Sequence, residues 1–298
     1  MEMENSFYVD PLGIAGGLAL WWIKEVNITI LNAENNFIDA EIAYNGEEVW
    51  FATFIYGPPY VEDKQVFWDK LSTLRSNPSD KWCIIGDSNI VARQDEKIGG
   101  ASFEFSQARW FFEFLEKSSV LELPIKGGNF TWSNLRSEGD SILEKLDRIL
   151  ANIGWSTLFP KAISILDVAI ASCHSPIFLL LQVLNKKSKK TFKFESKWLL
   201  KEDCSLNINE SWNSSEGFSL RKAFGGKLNK TRTKLIKWSR MKFGKTKKLV
   251  DELLNKIKEM QGHPLTKKET LELKSLKKEV DKIWESEERH WHQRARTD

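Results

Sequence analysis

The charges of this chain are sorted along it. Residues 186–298 hold 30 Lys and Arg against 16 Asp and Glu, a net of +14, which leaves 14 basic and 25 acidic residues and a net of −11 for residues 1–185. A formal charge of only +3 for the whole 298 residues conceals that division. Two stretches so different in charge call for two structural regions of different kind. The change falls at Asn185-Lys186-Lys187-Ser188-Lys189-Lys190, directly after the apolar run Ile177–Leu184. The expected domains are therefore 1–185 and 186–298. With 41% hydrophobic and 12% aromatic residues, the chain can bury at least one full core, which excludes a disordered polypeptide.

No apolar run reaches the about 18 residues of a membrane span. Leu12–Trp22 lacks both a basic n-region and a small-residue cleavage site. The expectation is a soluble protein without a membrane partner, intracellular (nuclear or cytoplasmic) and not secreted. Cys83, Cys173 and Cys204 are odd in number and far apart, which fits neither a disulfide framework nor a zinc spacing, and no disulfide-linked partner is expected.

In the first region, Phe37–Tyr44 and Val49–Tyr56 flank Asn45-Gly46, a strong hairpin signal, and read as antiparallel neighbours. Phe67, Leu71 and Leu74 mark a helix over 66–74. The continuous apolar run Trp82–Ile85 suits a buried strand that delivers Asp87 at its end. A further helix is expected over 106–117, with short strands at 120–123, 130–133, 146–150, 163–170 and 177–184. Many short strands with few helices favour α+β over an alternating parallel sheet.

Two strings carry chemistry: Gly86-Asp87-Ser88-Asn89 and Ser172-Cys173-His174-Ser175-Pro176. Phosphodiester cleavage with a metal needs carboxylates to hold the cation and orient water, and a cationic donor for the developing phosphate charge. Asp87 and His174 supply two such parts, whereas the neutral thiol of Cys173 is a poor ligand for Mg²⁺. Taken alone, Gly-Asp-x-Asn is also a turn closed by an Asx hydrogen bond, and Tyr56-Gly57-Pro58-Pro59 is also a strand-ending turn.

These strings occur together with Gly16-Gly17-Leu18-Ala19-Leu20-Trp21-Trp22, Gly128-Asn129-Phe130-Thr131-Trp132-Ser133-Asn134 and Leu146-Asp147-Arg148. In that order they resemble the endonuclease/exonuclease/phosphatase (DNase I-like) superfamily, and most of all the endonuclease region of plant LINE-type non-LTR retrotransposons. The tail from Phe192–Trp198 to His292–Arg296 resembles the connector that precedes the reverse transcriptase in such elements.

The resemblance implies an α+β fold, a four-layer α/β/β/α sandwich followed by a basic helical tail, that cuts DNA with Mg²⁺ or Mn²⁺. Carried over by position, Asp87 aligns or deprotonates water, Asn89 hydrogen-bonds the phosphate or that water, and Tyr56 contacts the scissile phosphate. His174, oriented by Asp147, stabilises the developing charge, and Asn134 and Arg136 contact nucleic acid nearby. The chain departs from the pattern in three places. Met1 leads almost directly into Tyr8-Val9-Asp10-Pro11, so the reading expects a truncated domain without the first strand, its Asn and the metal-binding Glu. Cys173 stands where the family has Asp, and Ser88 where it has an aromatic residue. Impaired catalysis follows as the expectation, a pseudoenzyme of endonuclease ancestry.

In the second region, Val250, Leu253, Ile257 and Met260 keep 3-4-3 spacing, as do Leu273, Leu276, Val280 and Ile283, with Gly262-His263-Pro264 between them. Thr266 and Glu269 match a capping box. A helical hairpin with a lysine-rich outer face is expected. Arg240, Lys242, Lys245, Lys247 and Lys248 are either solvated or track the phosphates of DNA or RNA. The alternative function is therefore a non-catalytic nucleic-acid-binding protein that acts through this tail.

Overall fold

Strand after strand in the first region is apolar on one side or both. The resulting sheets are set out by a computed structural model that describes residues 3–11, 17–44, 48–75, 77, 79–181, 192, 194, 198–199, 201–213 and 220–295. The chain divides into two units, Met1–Val183 with Met260–Leu271, and Leu184–Glu259 with Glu272–Asp298.

The first unit opens with β1 (Asn5–Val9), β2 (Leu18–Trp22), β3 (Val26–Glu34), β4 (Phe37–Tyr44) and β5 (Trp50–Tyr56), then α1 (Val61–Thr73), β6 (Trp82–Asp87) and β7 (Lys97–Ile98). It continues through α2 (Arg109–Ser118), β8 (Val120–Glu122), β9 (Ile125–Lys126), β10 (Trp132–Ser133), β11 (Leu143–Glu144) and β12 (Asp147–Asn152). It closes with α3 (Ile153–Leu158), β13 (Ile163–Leu166) and β14 (Ile177–Leu180).

Six strands form the main sheet in the order β3-β4-β5-β6-β12-β8. Only its β5–β6 pair is parallel, because α1 carries the chain across between them. The sheet β14-β13-β9 is separate, as are β10-β11-β7 and the two-stranded β1-β2.

On one face of the main sheet, Phe67, Trp68 and Leu71 of α1 and Phe111 and Phe114 of α2 join Phe37, Ile55, Trp82, Ile84 and Leu150 in one buried cluster. Trp68 lies 5.0 Å from Phe114, ring centre to ring centre. Each such side chain withdrawn from water contributes about 1.5–3 kcal/mol. On the other face Cys83, Ile149, Ala151 and Trp155 meet Trp50, Ile85 and the β14 residues Ile177 and Leu179. Helices, sheet and second sheet are thus stacked in that order, a mixed α+β arrangement.

Several boundaries differ from the sequence expectation, each for a local reason. Helix α1 begins at Val61 rather than 66, after the Pro58-Pro59-Tyr60 segment with Tyr60 at its N-cap, and Glu62 and Asp63 lie in its first turn where the helix dipole favours them. Residues 105–108 are a 3-10 turn, and α2 proper starts at Arg109. Strand β13 stops at Leu166, not at 170, since the Asp167 carboxylate accepts from Val168 N at 2.8 Å while Asp167 N turns to Pro176 O at 2.9 Å.

Helix α3 has no counterpart in the sequence expectation, although Asn152 caps it by accepting from Trp155 N at 2.9 Å. The same holds for the β3–β4 hairpin. Its signal is the alternation Val26, Ile28, Ile30 ahead of the Asn35-Asn36 turn. Asn5–Val9 is a strand too, held to β2 in part by Trp21 Nε1 donating to Tyr8 Oη at 2.7 Å. Three expectations lie outside the described residues: the Asn45-Gly46 turn, the Asn185–Lys190 boundary and the placement of Gly16.

The second unit is helical: α4 (Glu202–Asn213), most of α5 (Leu220–Gln261) and most of α6 (Lys267–Ala295). Trp198, Cys204, Leu235 and Trp238 form its buried cluster, and Trp238 Nε1 donates to Asp203 at 3.1 Å. Leu253, Ile257, Leu273 and Val280, all on the apolar spacing read from sequence, are buried. The capping box is present, with Thr266 N donating to Glu269 Oε2 at 2.9 Å and Glu269 N to Thr266 Oγ1 at 3.3 Å. The turn that follows α5 belongs to the first unit, where Glu138 N donates to Leu265 O at 2.7 Å. No helix among the described residues is long and apolar enough to cross a membrane.

Candidate active site

Register brings the candidate residues into line. Tyr56 is paired with Asp87 across the parallel β5–β6 ladder, and Asp147 with the same Asp87 across the antiparallel β6–β12 ladder. Three residues far apart in sequence therefore sit side by side on neighbouring strands. Two glycines let the strand ends approach. At Gly86, with φ +142°, an added Cβ would lie 2.1 Å from Ile55 O, and at Gly57 one would lie 2.4 Å from Ser88 O.

Asp87 is buried and fixed from its own loop. Its Oδ1 accepts from Asn89 N at 2.8 Å, the Asx turn that the sequence allowed. Asn89 adopts φ +48°, a left-handed conformation that Asn tolerates, and its side-chain amide donates to Gly57 O at 2.7 Å. Asn89 thus uses one of its two amide hydrogens to tie the two loops together. Ser88 is buried, and its N and Oγ reach Leu146 O at 2.8 and 2.6 Å, so a small hydroxyl fills this slot.

His174 faces both carboxylates. Its Nδ1 lies 3.0 Å from Asp147 Oδ2 and its Nε2 lies 3.9 Å from Asp87 Oδ2. The loop that bears it is strapped down by backbone bonds, Ser133 N to Cys173 O at 3.0 Å and Ser175 N to Thr131 O at 2.7 Å. Thr131 is a residue whose part sequence reasoning missed. Buried, it accepts from Leu146 N and Asp147 N through its hydroxyl at 3.0 and 2.9 Å, which couples the start of β12 to the His174 loop. Its position within Asn129-Phe130-Thr131-Trp132 was the available signal.

Burial, and next the nearby Asp147 carboxylate, push the Asp87 pKa up to about 6, against the Asn89 N–H, His174 and Lys64. The hydrogen bond to Asp147 raises the pKa of His174 above its ordinary value, against the cost of burial. The Asp147 carboxylate thus favours the protonated imidazole of His174.

Lys64 is the second residue that the sequence left unread. It points from the first turn of α1 into this region, is only 7% exposed, and donates to Asn89 O at 2.7 Å. Burial lowers its pKa, while Glu144 and Asp87 act in the opposite sense.

The nucleic-acid contacts expected of Asn134 and Arg136 fall on the loop between β10 and β11. The Asn134 amide is committed within that loop, accepting from Arg136 N at 3.1 Å and Ile142 N at 3.0 Å and donating to Asp140 O at 2.7 Å. Arg136 is exposed.

The donor set does not fit a divalent cation. Among the described residues no group of three or more His, Cys, Asp or Glu side chains could hold a metal ion. Asp147 is taken up by His174, Glu144 by Lys97, and Cys173 presents an exposed thiol. A hard cation asks for several oxygen ligands, and the Mg²⁺ or Mn²⁺ expected from the resemblance finds no such set here.

No protein-family model and no curated protein matches this sequence. Among solved structures the chain is similar to the endonuclease domain of TRAS1, a telomere-specific non-LTR retrotransposon, at 14% identity and a TM-score of 0.45, covering 60% of this chain and 80% of that one. It is also similar to a beta toxin from Staphylococcus aureus, at 15% identity and a TM-score of 0.33, with 49% of this chain and 57% of that one covered. At these identities and scores the chemistry has to be read from the residues of the site themselves.

Proposed function

We propose that this chain descends from a retrotransposon-type, divalent-metal-dependent DNA endonuclease built on the four-layer sandwich, and that its phosphodiester hydrolysis is impaired. The observation that supports this most is the line Asp87, His174, Asp147: a buried carboxylate, an imidazole with its Nε2 3.9 Å from it, and a second carboxylate bonded to the imidazole Nδ1 at 3.0 Å. With its pKa near 6, Asp87 is ionised at neutral pH and suited to take a proton from water. His174, whose protonated form Asp147 favours, faces the position where a phosphate oxygen gains charge. Tyr56, next to Asp87 in register, is placed to contact the phosphate, and Asn89 holds Asp87 in place. Among the described residues no three carboxylate, imidazole or thiol groups are set to hold a metal ion, and Cys173 presents a thiol where the pattern has a carboxylate.

Nicking of supercoiled plasmid tests the proposal. Little or no nicking is expected with Mg²⁺ or Mn²⁺, and Cys173→Asp is expected to raise it. Any residual activity should drop about 10²–10⁴-fold in Asp87→Ala, the range for loss of a general base. Robust wild-type cleavage that Asp87→Ala abolishes would overturn the impairment.

A second reading, nucleic-acid binding without catalysis, is favoured by a groove of about 880 Å³ in the second unit. Lys230, Lys234 and Lys237 of α5 line it together with Asn229 and Thr233, and Glu210 of α4 pairs with Lys234 there. The ammonium groups of Lys230 and Lys237, with the neutral donors between them, suit a phosphate backbone of DNA or RNA.

A further inference from the structure

We infer that Lys64 is the resident cation of the carboxylate site and keeps a divalent metal ion out of it. The inference rests on reading Asp87 and Asp147 as the carboxylates of that site, and it goes beyond that reading by giving the α1 lysine a part in it. Lysine is almost never buried unless it is paired. Lys64, 7% exposed, donates to Asn89 O at 2.7 Å, and Asn89 in turn donates its own N–H to Asp87 Oδ1 at 2.8 Å. The ammonium is therefore one residue's backbone away from the Asp87 carboxylate.

The surrounding charges are already matched. Asp147 faces His174, Glu144 is paired with Lys97, and the Lys64 charge acts on both Glu144 and Asp87. A dication entering this cluster meets an ammonium held in place by its bond to Asn89. Like charges brought close together inside a protein repel more strongly than they do in water. Asp87 Oδ1 and Asp147 Oδ2 already accept bonds from Asn89 and His174, which leaves fewer oxygens to offset that.

Mn²⁺ binding to the full chain, followed by the loss of the free-ion electron paramagnetic resonance signal with Mg²⁺ as competitor, tests this without any reference to catalysis. Lys64→Met should bind Mn²⁺ at least about tenfold more tightly than the wild type, since one repelling charge is gone. Lys64→Glu should gain at least as much, and Lys64→Arg should behave as the wild type. The gain must vanish when Asp87→Asn is added. Circular dichroism checks folding, and Lys64→Gln, which keeps a donor for Asn89 O, carries the same comparison if Lys64→Met loses its fold.

Equal Mn²⁺ affinity in wild type and Lys64→Met would overturn the inference. So would the absence of a gain in both Lys64→Gln and Lys64→Glu, or a gain that survives Asp87→Asn. A gain abolished by Asp87→Asn, with no nicking in any variant, upholds the cation assignment while removing the support for nuclease chemistry.

Discussion

Asp87 carries opposed demands, because the burial that raises its affinity for a proton also makes its charge costly. Its pKa, raised to about 6, means that the folded state binds a proton more readily than the unfolded chain. Asp87 therefore subtracts stability as pH rises from its unfolded value near 3.8 through about 6, and the whole penalty is present above that. Asp87→Asn should raise the melting temperature at pH 7 and leave it nearly unchanged below pH 4, as thermal denaturation across pH would show. His174 has the opposite sign. Its raised pKa adds stability that is complete below about 6.5 and is lost as pH passes the folded value. In Asp147→Asn the imidazole should titrate at a distinctly lower pH, measurable from its ring proton resonances.

Arg148, one residue on from Asp147, shows how an element is secured. Alternation along β12 turns it to the opposite face, away from Asp147. There, with its side chain fully buried, it reaches Glu96 Oε1 at 3.1 Å, Glu122 Oε2 at 2.9 Å and Ile90 O at 3.0 Å. Removing one partner of a buried ion pair leaves uncompensated charge, so Arg148→Met should cost about 3–5 kcal/mol in chemical denaturation. Adding Glu96→Gln should recover part of that loss.

The loop between β13 and β14, which bears Cys173 and His174, has a brace of its own. Gln261 accepts from Ala169 N at 3.2 Å and donates to Ala169 O at 2.8 Å. Gln261→Ala should therefore speed amide hydrogen exchange in residues 167–175 before it affects the main sheet. None of these bonds was legible from spacing. The helices and strands came from local periodicity, whereas Arg148, Thr131 and Gln261 act on residues distant in sequence.

At the scale of the whole molecule, the division of charge sets how the chain meets polyanions. If the lysine groove of α5 binds nucleic acid, the full chain should bind DNA or RNA with little sequence preference and lose affinity steeply with salt. Charge reversal at Lys230 and Lys237 should weaken binding and flatten the salt slope by about 0.9 for each duplex phosphate that the protein no longer neutralises. Unchanged binding with helicity intact would remove the groove from consideration.

The amino-acid sequence by itself determined the class of the first region and the helical character and capping of the tail, and it pointed to Asp87, Asn89, Asp147 and His174, which the fold brings together. Those features reside in short-range pattern and in ordered motifs, which the linear order of residues carries. Only the tertiary structure decided that Tyr56, Asp87 and Asp147 share one register line, and that Asn134 is spent on its own loop. It alone set the Lys64 ammonium beside the carboxylates. Strand pairing and the burial of a charge depend on which distant segments come together, and no local preference of the chain encodes that.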